Sequence, residues 1–428
     1  MKLYLGIDFG TSGARAIAIA PNGTVQAEAQ YPFSSEAATD WTTHWQTALF
    51  ALIEQIPVKV RQDLRAIAID GTSSTVLLCD RTGTPLEEPL LYNDARGAAV
   101  MEIVQAIAPP KHGVLSATSS FAKLLWWWQQ GKLKQTESAG SETNRLYFLH
   151  QADWLASLLH GKLGISDYHN SLKLGYDVAH FRYPDWLQHH PIASLVPQVV
   201  APGTPIAPVT ADVSDRLSLP QDCLVCAGTT DSNAAFLASG ATTPGEAVTS
   251  LGSTLVLKLL SQTRVDDAHY GIYSHRLGNL WLVGGASNTG GAVLKQFFSV
   301  AELEELSCQI QPEQPSCLDY YPLPQPGERF PINDSELLPR LEPRPDNPVE
   351  FLHGLLESMA RIEAQGYQRL QELGASPLTQ VYTAGGGAVN SAWTAIRARH
   401  LQVPLVCPTH TEAAYGAALL ALRGASQT

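Results

Sequence analysis

No run of Lys and Arg occurs in this chain: 28 basic residues are scattered among 40 acidic ones, for a formal net charge of −12. A chain so charged has no stripe that could follow a phosphate backbone, which argues against nucleic acid as a partner. Uninterrupted apolar stretches of about 18 residues are missing too, and Asp8 breaks the first apolar run. Neither a membrane span nor a secretory leader is therefore expected, and a cytoplasmic protein is. Six cysteines are too few to staple 428 residues. Cys223 and Cys226, three apart on an apolar strand, face opposite sides and have no second ligand pair, so a metal or redox role is not expected of them. The GxxxxGK[ST] phosphate loop is absent, and Asp8-Phe9-Gly10 lacks the catalytic-loop and strand-lysine context that gives a protein-kinase DFG its meaning. What is present, 45% hydrophobic and 16% charged residues, is a globular composition with length enough for two cores.

The most informative stretch is Leu3 to Ala20. Apolar strands from Leu3 to Phe9 and from Ala14 to Ala20 flank a tight turn, Gly10-Thr11-Ser12-Gly13. Glycines free backbone N–H groups to face an anion, hydroxyls add neutral donors, and a carboxylate at Asp8 holds a hard cation such as Mg²⁺ through water. The stretch reads as a clamp for nucleoside-triphosphate phosphates, although a surface hairpin explains it equally well in isolation. The plan recurs: Glu246 to Leu251, then Gly252-Ser253-Thr254, then Leu255 to Leu260. Two such hairpins, each opening one half of the chain, suggest facing domains that grip one triphosphate.

Several segments fill the interval. Strand Val25 to Tyr31 precedes a helix from Trp41 to Gln55 with Trp45, Leu49 and Leu52 on one face. Strand Leu64 to Ile69 runs into Asp70-Gly71-Thr72-Ser73-Ser74, a second acid-glycine-hydroxyl turn or a plain strand end. Leu90 and Leu91 end a short strand ahead of a polar cluster, Tyr92 to Arg96. A helix then carries Lys123 and Trp126, Trp127 and Trp128; three adjacent tryptophans point around most of a turn and read as packing anchors. Gly164 to Gly175 is a polar loop with Asp167, Asn170 and Lys173, of a kind that can contact a polyol near a cleft but is read first as a solvated connection. Strand Leu224 to Gly228 leads to Asp231, placed to cap the next helix and also where open α/β sheets collect ligands. Near the end, strand Gln380 to Thr383 meets Gly385-Gly386-Gly387, then Asn390 and Trp393. Glycines let a flat ring lie close to the backbone, Asn390 offers an amide, and Trp393 either stacks or packs in a core.

Taken in order, GIDFGTSGARA at the start, LLYNDAR at 90 to 96, AKLLW at 122 to 126, AGTTDSNAAF at 227 to 236, SLGST at 250 to 254, TAGGGAVNSAW at 383 to 393 and the EAAYGAALLA helix make the chain resemble the FGGY carbohydrate kinases over essentially its full length. By eye the likeness is strongest to the small xylulose-kinase-like branch whose members look like D-ribulose kinases. One departure is Tyr92, which stands where many members carry Trp.

The resemblance implies an α/β fold of two actin-like ATPase (ribonuclease-H-like) domains with a nucleotide and sugar cleft between them. Their expected extents are 1–240, joined by the returning helix 412–428, and 241–411. It also implies ATP and Mg²⁺ as cofactors and a pentulose as substrate, D-ribulose with D-xylulose as runner-up. Residue by residue, Asp231 matches the catalytic base and contacts the sugar, Asp8 matches the metal and sugar position, and Ser73 matches a sugar contact. Gly10, Thr11, Ser12, Gly252 and Ser253 match the phosphate turns, and Gly386, Gly387, Asn390 and Trp393 match the adenosine site. Two rivals share part of this pattern. An actin-like ATPase would have no need of Asp231 together with the Asn93 to Arg96 cluster, and a sugar sensor would have no use for both Asp8 and Asp231.

Overall fold

Leu3, Leu5, Ile7 and Phe9 alternate along the first apolar stretch, and the computed structural model, which describes residues 1–33, 40–133 and 145–427, forms a strand there. By the packing of its backbone the chain divides into two units, one of residues 1–238 with 410–428 and one of residues 239–409. These divisions fall two residues earlier than the sequence places them. Thr428, the last residue of the expected returning segment, lies outside the described residues.

The sheet of the first unit contains β1 (Leu3–Phe9), β2 (Gly13–Ile19), β3 (Val25–Pro32), β4 (Leu64–Gly71), β5 (Pro205–Pro208) and β6 (Leu224–Thr230), in the order β3-β2-β1-β4-β6-β5. β1 to β3 form an antiparallel meander, whereas β1, β4 and β6 run parallel. Helix α1 (Trp41–Gln55) buries Trp45, Leu49 and Leu52 at the i, i+4, i+7 spacing, and Asp40 caps it by accepting from Thr43 N at 3.0 Å. A second core in the same unit gathers around α2 (Ser120–Gln129), where Trp127 is fully buried and Trp126 and Trp128 half-buried. The guanidinium of Arg96 lies 5.1 Å from the Trp126 ring centre, so the three tryptophans are packing anchors. Helices α3 (Gln151–His160) and α4 (Asp231–Ala238) complete the frame with the C-terminal helix Ala413–Ala425.

Two expectations need correction. Leu90 makes one isolated bridge to Val76 and no strand forms, since Pro89 removes a ladder donor; the chain passes directly to a 3₁₀ turn, Arg96–Val100. The Gly164 to Gly175 loop is not solvated. Asp167, His169 and Asn170 are all buried, because the polar groups satisfy one another. Asp167 accepts from His169 N at 2.7 Å and Asn170 Nδ2 at 2.6 Å, and His169 Nδ1 lies 2.6 Å from Thr229 Oγ1 on β6. Burial, with Asp153 nearby, pushes the Asp167 carboxyl up to about 7.

The second unit repeats the plan. Its sheet contains β7 (Glu246–Leu251), β8 (Leu255–Ser261), β9 (Tyr273–Leu277), β10 (Leu280–Ser287), β11 (Gln380–Ala384) and β12 (Leu405–Val406), in the order β9-β10-β8-β7-β11-β12. β7 to β10 form an antiparallel ribbon, and β7, β11 and β12 run parallel. Helix α5 (Pro348–Glu372), started by the Asn347 cap, buries Phe351, Leu355, Met359, Ile362 and Leu370. Its buried Glu363 receives two bonds from Arg397 of α6 (Ser391–Leu401) at 2.6 and 2.8 Å and one from Thr249 of β7 at 2.5 Å. This buried charge is paired and saturated, the condition under which such a group is tolerated.

Candidate active site

Parallel strands put their carboxyl ends at one edge of a sheet, and in the first unit three of those ends carry an acid. Asp8 on β1 pairs in register with Asp70 on β4, Thr229 of β6 pairs with Asp70, and Asp231 follows β6 directly. Asp70 is fully buried and Asp8 nearly so, and Asp8 Oδ1 and both Asp70 oxygens have no donor on them. The two carboxyls stand side by side in the strand register, and burial together with their mutual charge favours the protonated form of the pair. Burial pushes the Asp8 carboxyl up to about 6; the contact with Asp70 and Arg15 opposes the rise, and the charges of Asp231 and Glu412 add to it. Asp70 is driven well above the usual carboxylate range by burial and by Asp8.

A carboxyl raised in the folded state binds its proton there at a pH where the unfolded chain has released it. The pair's contribution to stability is therefore full below about pH 4 and is lost as pH rises through about 6, the value for Asp8. Asp70→Asn removes one member while its amide can still donate to Asp8. It should raise the melting temperature at pH 8 by the equivalent of about 1–3 kcal/mol, with the gain shrinking towards pH 4. Melting curves that coincide with wild type across this range would show that burial does not hold a proton on this pair.

The turn leaving β1 is tight: Gly10 N donates to Gly13 O at 3.0 Å, and Phe33 N donates to Ser12 O at 3.0 Å. Thr11 and Ser12 are exposed at its tip. At Gly13 a Cβ would stand 2.8 Å from Tyr31 O, so glycine is required by the neighbouring strand. Asp231 is the first residue of α4, which moves the cap to Thr230; the Asp231 carboxylate accepts from Ser232 N at 2.6 Å and remains half-buried. Within the next turn, Thr72 gives its N–H and its hydroxyl to Gln151 Oε1, both at 3.0 Å, and Ser73 is the half-exposed member of an otherwise buried run from Thr72 to Thr75.

In the second unit the Gly252-Ser253-Thr254 turn and the Gly385 to Gly387 loop follow parallel neighbours β7 and β11, and so emerge at the same edge. Ser253 is exposed. Gly252 O accepts from Gly291 N at 2.9 Å and Ser253 O from Ala292 N at 3.0 Å. A Cβ on Gly290 or Gly291 would come within 2.8 Å of those carbonyls, a close approach that the sequence reading did not assign to these glycines. Gly386 faces open space and its neighbour Val389 is 87% exposed, leaving a backbone surface that a flat ring could approach.

Trp393 is corrected by the structure. Its indole is only 2% exposed and belongs to the core of the unit, and a Cβ on Gly387 would meet the ring at 2.6 Å. It supports the glycine loop from below and presents no free face for stacking. Asn390 is also engaged: its oxygen caps α6 through Trp393 N at 2.9 Å, and its Nδ2 donates to Ser307 at 2.8 Å. Asp70 is the site residue that the sequence reading passed over, though its place at a strand end before a glycine-hydroxyl turn was the available signal.

The oxygen donor set suits Mg²⁺, a hard cation that keeps several waters and takes one or two carboxylates. Among the described residues no three His, Cys, Asp or Glu side chains converge to cage a metal unaided. Any cation on Asp8 would thus complete its shell from water and phosphate.

Comparison with known proteins follows the same division. Residues 3–238 match the FGGY family of carbohydrate kinases, N-terminal domain, and residues 247–425 match the C-terminal domain of that family. The xylulose kinase of Staphylococcus xylosus is 22% identical over 99% of this chain and 91% of its own length. A ribulokinase of Halalkalibacterium halodurans is 25% identical over 61% of this chain and 54% of its own. Among solved structures, Plasmodium falciparum glycerol kinase with ADP superposes with a TM-score of 0.84 at 17% identity, covering 100% of this chain and 90% of that one. Xylulose kinase from Rhodospirillum rubrum gives 0.79 at 22% identity, covering 99% and 90%.

Proposed function

The chain belongs to the FGGY family of carbohydrate kinases, and from that premise we propose that it transfers the γ-phosphate of ATP to a primary hydroxyl of a pentulose, most specifically D-ribulose. The observation that carries this reading is the row of Asp8, Asp70 and Asp231 at the ends of three parallel strands, beside a turn with two exposed hydroxyls. A nucleotide switch has no use for a half-buried carboxylate one residue past the third strand, whereas an alcohol acceptor needs a base there.

Phosphoryl transfer asks mainly for position and charge stabilisation. Asp231 takes the proton of the attacking hydroxyl as its oxygen bonds to the γ-phosphorus and the bond to the β-phosphate oxygen breaks, leaving ADP. Thr11 and Ser12 of the first unit, and Ser253 of the second, are the hydroxyls assigned to phosphate oxygens, with Gly10 and Gly252 shaping their turns. Asp8 is the residue assigned to Mg²⁺, which when bound would neutralise phosphate charge. Ser73 with Asp8 and Asp231 is assigned to the sugar. Gly386 and Gly387 offer the backbone surface for adenine, and Asn390 orients that loop as a helix cap.

The choice of D-ribulose rests on the Asp70 to Ser74 turn, whose small hydroxyl residues resemble the ribulose-active branch. D-xylulose is the second reading, favoured by the names of several relatives. A site built around one hydroxyl arrangement rejects the other C3 epimer because buried partners are left unpaired, at about 1–3 kcal/mol each. An assay of ADP formation with D-ribulose, L-ribulose, D-xylulose, L-xylulose, glycerol and ribitol should show D-ribulose ahead of every other acceptor in kcat/KM by about tenfold or more. D-Xylulose ahead by that margin would transfer the assignment to the second reading, and no sugar-dependent ADP at all would remove both.

A further inference from the structure

Lys123 is a fully buried lysine, and neither of the two groups that accept from its ammonium is an acid. From α2 its Nζ donates to the carbonyl of Ser74 at 2.8 Å and to the carbonyl of Leu91 at 2.6 Å. Those carbonyls belong to two segments separated in sequence. Ser74 follows Ser73 and holds a φ of 66°, a left-handed conformation that a non-glycine residue adopts only under constraint. Leu91 opens the Tyr92 to Arg96 segment, in which Arg96 clamps the Asp94 carboxylate with bonds at 2.6 to 3.1 Å. We propose that Lys123 is a positioning residue for the acceptor sugar: its ammonium ties the Ser73–Ser74 turn to the start of the Tyr92 to Arg96 segment and so sets where Ser73 meets the substrate.

Three observations bear the weight. The Thr72 end of the turn is fixed by Gln151, so Ser74 O on Lys123 is a second anchor, and Ser73 is the half-exposed residue between them. Ser74 Oγ is buried without a partner, which means that the serine's own side chain does nothing to hold its strained backbone. Lastly, burying an ammonium is costly, and an aliphatic chain of equal length would fill the same space without that cost. The cost is visible: burial lowers the Lys123 ammonium to about 7, with Asp94 opposing the shift and Lys173 and Arg96 adding to it. What the ammonium supplies over a hydrocarbon is two charge-assisted bonds directed at two carbonyls, which weaken when it loses its proton.

This inference rests on the sugar-kinase reading and is tested with the full-length enzyme and the best acceptor of the wild type. Lys123→Met should raise the KM for sugar by about tenfold while kcat at saturating sugar and the KM for ATP stay within about threefold. Lys123→Arg keeps a permanent charge and should recover most of the sugar KM. Because the lysine loses its proton near pH 7, among the fixed charges of Asp94, Lys173 and Arg96, the wild-type sugar KM should climb between pH 6 and 8. In Lys123→Arg that climb should be absent. If Lys123→Met does not fold, Lys123→Gln, which is neutral and one bond shorter and so cannot make both charge-assisted bonds, is read in the same way. A sugar KM unchanged in Lys123→Met, or a loss shared equally by sugar KM, ATP KM and kcat, would overturn the proposal. A wild type inactive on every sugar would overturn the functional reading beneath it, an outcome separable from both.

Discussion

Asp231→Asn should fold and bind nucleotide as the wild type does, yet lose sugar phosphorylation by about 10² to 10⁴ in kcat. Asparagine keeps the side-chain oxygen that accepts from Ser232 N at 2.6 Å, so the start of α4 is preserved. What disappears is basicity: an amide cannot take the hydroxyl proton at neutral pH. The pattern to look for is a fall in kcat and kcat/KM together, with the nucleotide dissociation constant from calorimetry unchanged. Retention of more than about a tenth of wild-type turnover, with the same product, would remove Asp231 from the role of base.

The second large effect concerns a glycine on the C-terminal helix. The C-terminal helix Ala413–Ala425 crosses β1 at Gly6 and α4 at Gly416. A Cβ on Gly6 would stand 2.0 Å from Ala414 O, and one on Gly416 would stand 1.9 Å from Ala234 O. Both obstacles are backbone, so neither can rotate away. Gly416→Ala must push the helix off α4, whose first residue is Asp231, and the push travels through a packed interior that does not yield gradually. The expected loss is about 3 kcal/mol or more of unfolding free energy, with kcat falling if Asp231 is the base proposed above, because it is displaced. Gly113→Ala is the control, since a methyl there meets nothing within 4 Å. Chemical denaturation that places the Gly416→Ala midpoint beside that of Gly113→Ala would refute the close-packing account.

Much of the site was legible because its signals are local. A hairpin announces itself by two apolar strands around glycines, and a helix by apolar residues at i, i+4 and i+7; Trp45, Leu49 and Leu52 needed no long-range information. The two glycine-hydroxyl turns, Asp8 and Asp231, proposed here as parts of the site, were singled out on such grounds, together with the ordered motifs. The errors have one cause. Trp393 and the Gly164 to Gly175 loop were judged by residue type, but their exposure depends on what the rest of the fold lays over them: the indole went under Gly387, and the polar loop closed on itself and on Thr229.

The sequence by itself determined the family, the two-unit α/β plan, and the turns and acids that point to phosphoryl transfer, because each is written in contiguous residues. Only the tertiary structure decided that Asp70 stands beside Asp8 in a buried strand pair, that Lys123 joins two segments through their carbonyls, and that Gly6 and Gly416 admit the last helix. Those are contacts across strand register and helix crossings. Their energy depends on burial and on distance in space, and neither quantity is present until the chain has folded.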